Sequence, residues 1–129
     1  FQAGQRCTAS SRLIVTEGIH DRFIAAMIDR MKKLVVDDAL KPGTEIGPVV
    51  DDRQLSKNLE YIDVGRREGA HLAHGGDRLR RETDGYYMAP AIFTETAASM
   101  RINREEIFGP VASVIRVHDY EEALAVANQ

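Results

Sequence analysis

Short β-branched apolar runs alternate along this chain with longer segments whose apolar residues recur every three or four positions. That alternation constrains the fold more than any other feature, because period two belongs to strands and period 3.6 to helices. Leu13-Ile14-Val15 reads as a strand. After a break at Thr16 to Gly18, a helix is expected from about His20 to Leu34. Phe23, Met27, Ile28, Met31 and Leu34 form its apolar face, with Asp29, Arg30, Lys32 and Lys33 mostly opposite. "DDALKPGTEIGPVV" carries two prolines, two glycines and no period, so it is a loop. A second helix is expected from about Asp52 to Glu68, with Leu55, Leu59, Ile62 and Val64 inward and Gly69 just past its end.

The rest of the chain is richer in strands. "AHLAHGG" is a short strand closing on the Gly75-Gly76 turn, and "DRLRRETDG" is a hairpin loop or surface insertion. "YYMAPAIFT" is a strand in which Pro90, lacking an N–H, favours a sheet edge or a bulge. A short helical turn is expected between Ala97 and Ile107, and a strand from Val111 to Val117. Asp119 then caps a final helix that has Glu121 and Glu122 in its first turn. This order predicts an α/β architecture, helices packed on a largely parallel sheet. No internal repeat or low-complexity tract divides the chain.

At 129 residues there is material for one core. A net charge of −3, with basic residues scattered apart from Arg78, Arg80 and Arg81, leaves no electrostatic footprint for nucleic acid. No apolar run is long enough to cross a bilayer, and no signal-peptide pattern opens the chain. The single cysteine cannot form an internal disulfide, which points to a reducing compartment such as the cytoplasm. The chain opens at Phe1 without methionine and stops at Gln129 inside a helical pattern, so it is expected to be a piece of a larger protein.

Two motifs carry chemistry. In "GQRCTASSR" the lone Cys7 stands at the mouth of an apolar run rather than inside it. One reading is a small buried hydrophobe; the other is a nucleophile. Arg6 and loop N–H groups are neighbours of the kind that stabilise a thiolate, and the small residues after Cys7 leave room around its sulfur. Gly4 would let the loop approach a ligand closely. In "REEIFGPV" two carboxylates precede an apolar pair and a Gly-Pro turn. One reading is a solvated acidic turn. In the other, Glu106 accepts hydrogen bonds from a vicinal diol such as that of a ribose, and Phe108 flanks a flat ring. On an extended segment Glu106 and Phe108 would point the same way and Glu105 the other. His20, His71, His74 and His118 lie in different elements, and the odd spacing of His71 and His74 puts them on opposite strand faces, so no metal site is expected. No GxGxxG or GxxxxGK phosphate loop is present.

Taken together, these motifs resemble the aldehyde dehydrogenase superfamily. "FQAGQRCTASSR" is similar to its cysteine signature and "EEIFGPV" to its second signature, in the family's order and at about its separation. "IGPVVD", "DGYYMAPAIF" and "DYEEALAVAN" also resemble family segments, so the likeness spans the chain. It implies that Cys7 is the catalytic thiol, that Glu106 binds the nicotinamide-ribose hydroxyls of NAD or NADP, and that Phe108 lies beside the nicotinamide. Gln54 and Lys57 match positions that approach the same ribose in some relatives. Cys7 would add to an aldehyde, because a bare aldehyde is a poor hydride donor and a tetrahedral oxyanion a good one. Residues 1–129 would be part of the cysteine-bearing catalytic domain. The general-base glutamate, the oxyanion-hole asparagine and the cofactor domain would lie upstream, and the oligomerisation strands of a homo-dimer or homo-tetramer downstream. The isolated chain is therefore expected to show no appreciable turnover.

"GQRCTASSRLIVTEG" and "MRINREEIFGPVASVIRV" are most similar to the branch of the family acting on 2-oxoglutarate semialdehyde. Arg6 or Arg12 could bind that substrate's carboxylate. Other carboxylate- or phosphate-bearing aldehydes, and a non-catalytic binding or structural role, stand as alternatives.

Overall fold

The computed structural model describes residues 2–129, and its sheet is built around the chain's last strand. The elements are β1 (Arg12–Thr16), α1 (Glu17–Met31), α2 (Asp52–Arg67), β2 (His71–His74), β3 (Arg78–Leu79), β4 (Tyr87–Met88), β5 (Ala91–Thr94), α3 (Arg101–Arg104), β6 (Val111–Val117) and α4 (Tyr120–Ala127). The main sheet runs β1-β6-β5-β2. β6 pairs in parallel with β1 (Leu13 opposite Val114) and with β5 (Ile92 opposite Ala112), while β2 is antiparallel to β5. The expected α/β layer with a largely parallel sheet is what forms.

Side-chain alternation along β6 divides the core. Val111 faces α2, joining Leu55, Ile62, Val64 and Phe93. Further along, Ile115 and Val117 pack with Val126 of α4. Val114 points the opposite way, with Val15 and Ile92, under Phe23, Ile24, Met27, Ile28 and Met31 of α1. Phe93 and Val114 have no exposed surface, and burying a side chain of this kind stabilises by about 1.5–3 kcal/mol.

Three local features differ from the sequence-based expectation. α1 begins at Glu17, directly after β1, and ends at Met31. The Thr16–Gly18 break is thus absorbed into the first helical turn, where a glycine interrupts little, and Leu34 falls beyond the helix. The "YYMAPAIFT" strand divides at Pro90: Tyr87-Met88 pairs with Arg78-Leu79 in a separate two-stranded sheet, and Ala91–Thr94 enters the main one. β5 is interior, not an edge, because proline's missing N–H breaks the ladder before β5 begins. The pairing of β2 shifts register between Leu72 and His74, so simple alternation does not describe the two histidines. Among the described residues no group of three or more His, Cys, Asp or Glu side chains gathers to hold a metal, and no helix is long and apolar enough to cross a membrane.

Candidate active site

Two loops meet where the chain enters β1 and β6, at the N-terminal ends of the parallel strands. The first carries Cys7. Gln2, Ala3 and Gly4 all adopt left-handed backbone (φ 50°, 52° and 72°). The chain then turns over Cys7, with the Ala9 N–H donating to the Arg6 carbonyl at 2.9 Å. Cys7 is exposed and its thiol is free. The loop is tied on one flank by Gln5, whose side-chain oxygen accepts from the Val50 N–H at 2.9 Å. On the other flank a Cβ at Gly4 would overlap the Gly109 carbonyl, so only glycine fits. The close approach expected of Gly4 toward a ligand is instead an approach to the protein's own second loop.

That second loop, residues 105–109, is held from the side of α2 and α3. The Glu105 carboxylate accepts from Arg101 Nε and one Arg101 terminal nitrogen, each at 2.9 Å, and from the Tyr61 hydroxyl at 2.8 Å. The Arg101 bonds, and then the Tyr61 bond, hold its pKa down at about 2. Ile107 is buried, and its carbonyl accepts from Gln54 Nε2 at 3.0 Å. Phe108 is left-handed, with φ 57°, a conformation that costs a non-glycine residue roughly 1–3 kcal/mol and persists only where its surroundings impose it.

Between these anchor points Glu106 and Phe108 turn the other way. Together with Arg6, Cys7, Ser10 and Gly109 they line a cleft of about 80 Å³. The expected separation of Glu105 from Glu106 is present, on a backbone that is extended at Glu105 (φ −108°, ψ 144°) and becomes left-handed only at Phe108. Glu106 forms no hydrogen bond or ion pair among the described residues, which leaves both carboxylate oxygens to accept from a ligand. Phe108 also borders a larger groove of about 590 Å³ with Gln5, Thr44, Pro48 and Val50, so it is shared by the Cys7 cleft and that groove. An unpaired carboxylate can accept from a pair of hydroxyl groups, and an aromatic side chain can pack against a flat ring.

The other candidates are placed differently. Arg6 lines the Cys7 cleft. Arg12 lies in a separate groove with Ser11, Arg104 and Glu106. Gln54 uses its amide on the Ile107 carbonyl, and Lys57 sits 6.0 Å over the Tyr61 ring, outside the cleft. Sequence reasoning passed over the supports of the second loop: Asn58, Tyr61 and the Arg101–Glu105 pair. One signal was present. Asn58 interrupts the buried stripe of Leu55, Ile62 and Val64, and a polar side chain on such a stripe needs a partner.

A free thiol thus shares one cleft with an unpaired carboxylate and an aromatic residue, at the N-terminal ends of the parallel strands of an α/β scaffold. The model of the aldehyde dehydrogenase family matches residues 1–129, and the chain belongs to that family. It is 45% identical over 127 residues to the alpha-ketoglutaric semialdehyde dehydrogenase of Bacillus subtilis, covering 97% of this chain and 26% of that protein. To the alpha-ketoglutarate semialdehyde dehydrogenase of Haloferax volcanii it is 47% identical over 129 residues, again covering 97% and 26%. The fold matches a crystal structure of betaine aldehyde dehydrogenase from Staphylococcus aureus in complex with NAD+. That match has a TM-score of 0.96 and 41% identity, over 100% of this chain and 26% of the other. The chain thus spans about a quarter of the length of these relatives.

Proposed function

We propose that this chain supplies the nucleophile and part of the cofactor wall of an NAD(P)-dependent aldehyde dehydrogenase that oxidises 2-oxoglutarate semialdehyde to 2-oxoglutarate. The observation that carries the reading is the meeting of Cys7, Glu106 and Phe108 in one cleft from loops about a hundred residues apart in sequence. The semialdehyde is favoured by the names of the two relatives above and by a guanidinium, Arg6, in the cleft beside the thiol. The cleft volume of about 80 Å³ is below the ~300–1,000 Å³ of a typical ligand pocket, in keeping with a chain that forms one wall of the site.

The chemistry follows from the side chains. Cys7, once deprotonated, attacks the carbonyl carbon; a C–S bond forms and the π pair moves onto oxygen. The backbone N–H of Cys7 then donates to that oxyanion. NAD or NADP, when bound, would supply the two-electron acceptor for the hydride on this carbon. Glu106 would orient the cofactor by accepting from its ribose hydroxyls, and Phe108 would pack beside the ring. Water cleaves the thioester, releasing the carboxylic acid and restoring the thiol. Following the family resemblance, the general base for that water is assigned to a part of the full-length protein that these 129 residues do not include, so the isolated chain would not turn over. The full-length enzyme is envisaged as a cytoplasmic homo-dimer or homo-tetramer acting on a small-molecule aldehyde.

The test is Cys7→Ser and Cys7→Ala in the full-length protein. Aldehyde oxidation should fall by about 10³-fold or more, as expected when a covalent nucleophile is removed. Either variant running at the unaltered rate would overturn the assignment.

A further inference from the structure

The loop bearing Glu106 and Phe108 rests on a side chain that has no part in the chemistry above. Asn58 is fully buried on α2, one turn beyond Gln54, and its amide lies 2.8 Å from the Gln54 side-chain nitrogen. It lies directly beneath Gly109: a Cβ at that position would overlap the Asn58 amide group. Gly109 in turn leaves no room for a Cβ at Gly4, in the cysteine loop. Asn58, Gly109 and Gly4 thus form a stack, from the helix interior to the cysteine loop, that cannot admit one more methyl group.

The position of this amide needs an explanation. An apolar residue there would extend the stripe of Leu55 and Ile62 without the desolvation cost of a buried amide. What the amides of Asn58 and Gln54 contact is the backbone on both sides of Phe108, the Ile107 carbonyl below it and Gly109 above. Phe108 is the residue whose left-handed conformation requires its neighbours to be fixed. Glu106, one residue before Ile107, belongs to the same segment.

We propose that Asn58 is a positioning residue: by bracing Gly109 and, side by side with Gln54, the Ile107 carbonyl, it holds the Phe108 turn and sets where the Glu106 carboxylate stands relative to Cys7. This rests on the reading of Glu106 as the acceptor for the cofactor ribose.

The experiment uses the full-length protein and measures the NAD and NADP dissociation constants by calorimetry without aldehyde. The variants are Asn58→Ala, Glu106→Gln and the double variant, with Val126→Ala in α4 as a buried substitution away from the site. Glu106→Gln and Asn58→Ala should each weaken binding by about 10-fold, whereas the double variant should be within about twofold of Glu106→Gln alone, because residues acting through one group are not additive. Val126→Ala should bind within about twofold of the unaltered protein, since sites without shared partners do not couple. Hydrogen exchange at residues 106–109 should accelerate in Asn58→Ala and not in Val126→Ala. If Asn58→Ala cannot be folded, Asn58→Ser goes through the same comparisons. The proposal fails if Asn58→Ala binds cofactor normally while Glu106→Gln does not, or if the two losses multiply. A Glu106→Gln protein with undiminished binding would instead sink the ribose assignment itself.

Discussion

Two arginines flank the thiol in sequence, yet only one shares its cleft. Arg6 lines the same cavity as Cys7, whereas Arg12, the first residue of β1, opens onto another groove on the far side of Glu106. A guanidinium pairing with a carboxylate gives charge-assisted hydrogen bonds worth about 1.5–3 kcal/mol, or roughly 10- to 100-fold in affinity. Arg6→Ala should therefore raise KM for 2-oxoglutarate semialdehyde by about 10-fold or more, with little change for a neutral aldehyde of similar length. Arg12→Ala should have the smaller effect. Steady-state kinetics on both aldehydes decide it, and equal losses on the two would remove Arg6 from substrate recognition. That Cys7, Glu106 and Phe108 belong together was legible through the family resemblance of their two short motifs, whereas the residue types alone left each motif with two readings. Asn58 showed only as a polar interruption of the α2 stripe, since the backbone that its amide braces lies about fifty positions away in sequence.

Besides the Gln54 and Asn58 contacts of α2, one carboxylate ties both α2 and α3 to the second loop. Glu105 ties the loop to Arg101, four residues earlier, and to Tyr61 on α2. Its pKa falls from 4.5 to about 2 in the folded protein, through the Arg101 bonds first and the Tyr61 bond second. A depressed carboxylate stabilises the fold fully above its unfolded pKa, and that stabilisation disappears as the group protonates. Glu105→Gln should accordingly lower Tm near neutral pH, and the gap from the unaltered protein should close as pH falls from 4.5 toward about 2. A gap independent of pH across a thermal-denaturation series would mean that the loss is one of shape and not of charge. Glu105 is partly exposed, so solvent and salt screen the pair and the shift in Tm should shrink in high salt. The helices were the most readable elements: the expected Asp119 cap accepts from the Glu122 N–H, and Asp51, which was not singled out, caps α2 in the same way by accepting from the Gln54 N–H. Pro90 misled, because its single missing donor is as compatible with a break between two sheets as with an edge.

At the scale of the whole molecule, helices on both faces press the sheet into a dry core. Gly65 lies inside α2, where replacing glycine by alanine ordinarily gains about 1 kcal/mol of helix propensity. Here a Cβ would stand 2.7 Å from the Phe93 ring, which has no exposed surface and no space to retreat. Overpacking of this kind costs about 1–3 kcal/mol, so the steric term wins. Gly65→Ala should lower stability in denaturant titrations of the full-length protein, and Phe93→Leu should recover part of the loss in the Gly65→Ala background. A stabilised Gly65→Ala protein would mean that the helix stands off the sheet.

Local chemistry along the chain was enough to set the helices, most strands and the residues bearing the thiol, the free carboxylate and the aromatic ring, because periodicity, capping and motif composition act over a few neighbouring residues. Packing alone decided that β6 lies between β1 and β5 and that Gly4 rests on Gly109. It also decided that Glu105 turns to Arg101 and Tyr61 while Glu106 is left for a ligand. These outcomes depend on contacts between segments tens to a hundred residues apart, and no local pattern reports which distant backbone will fill a space too narrow for a methyl group.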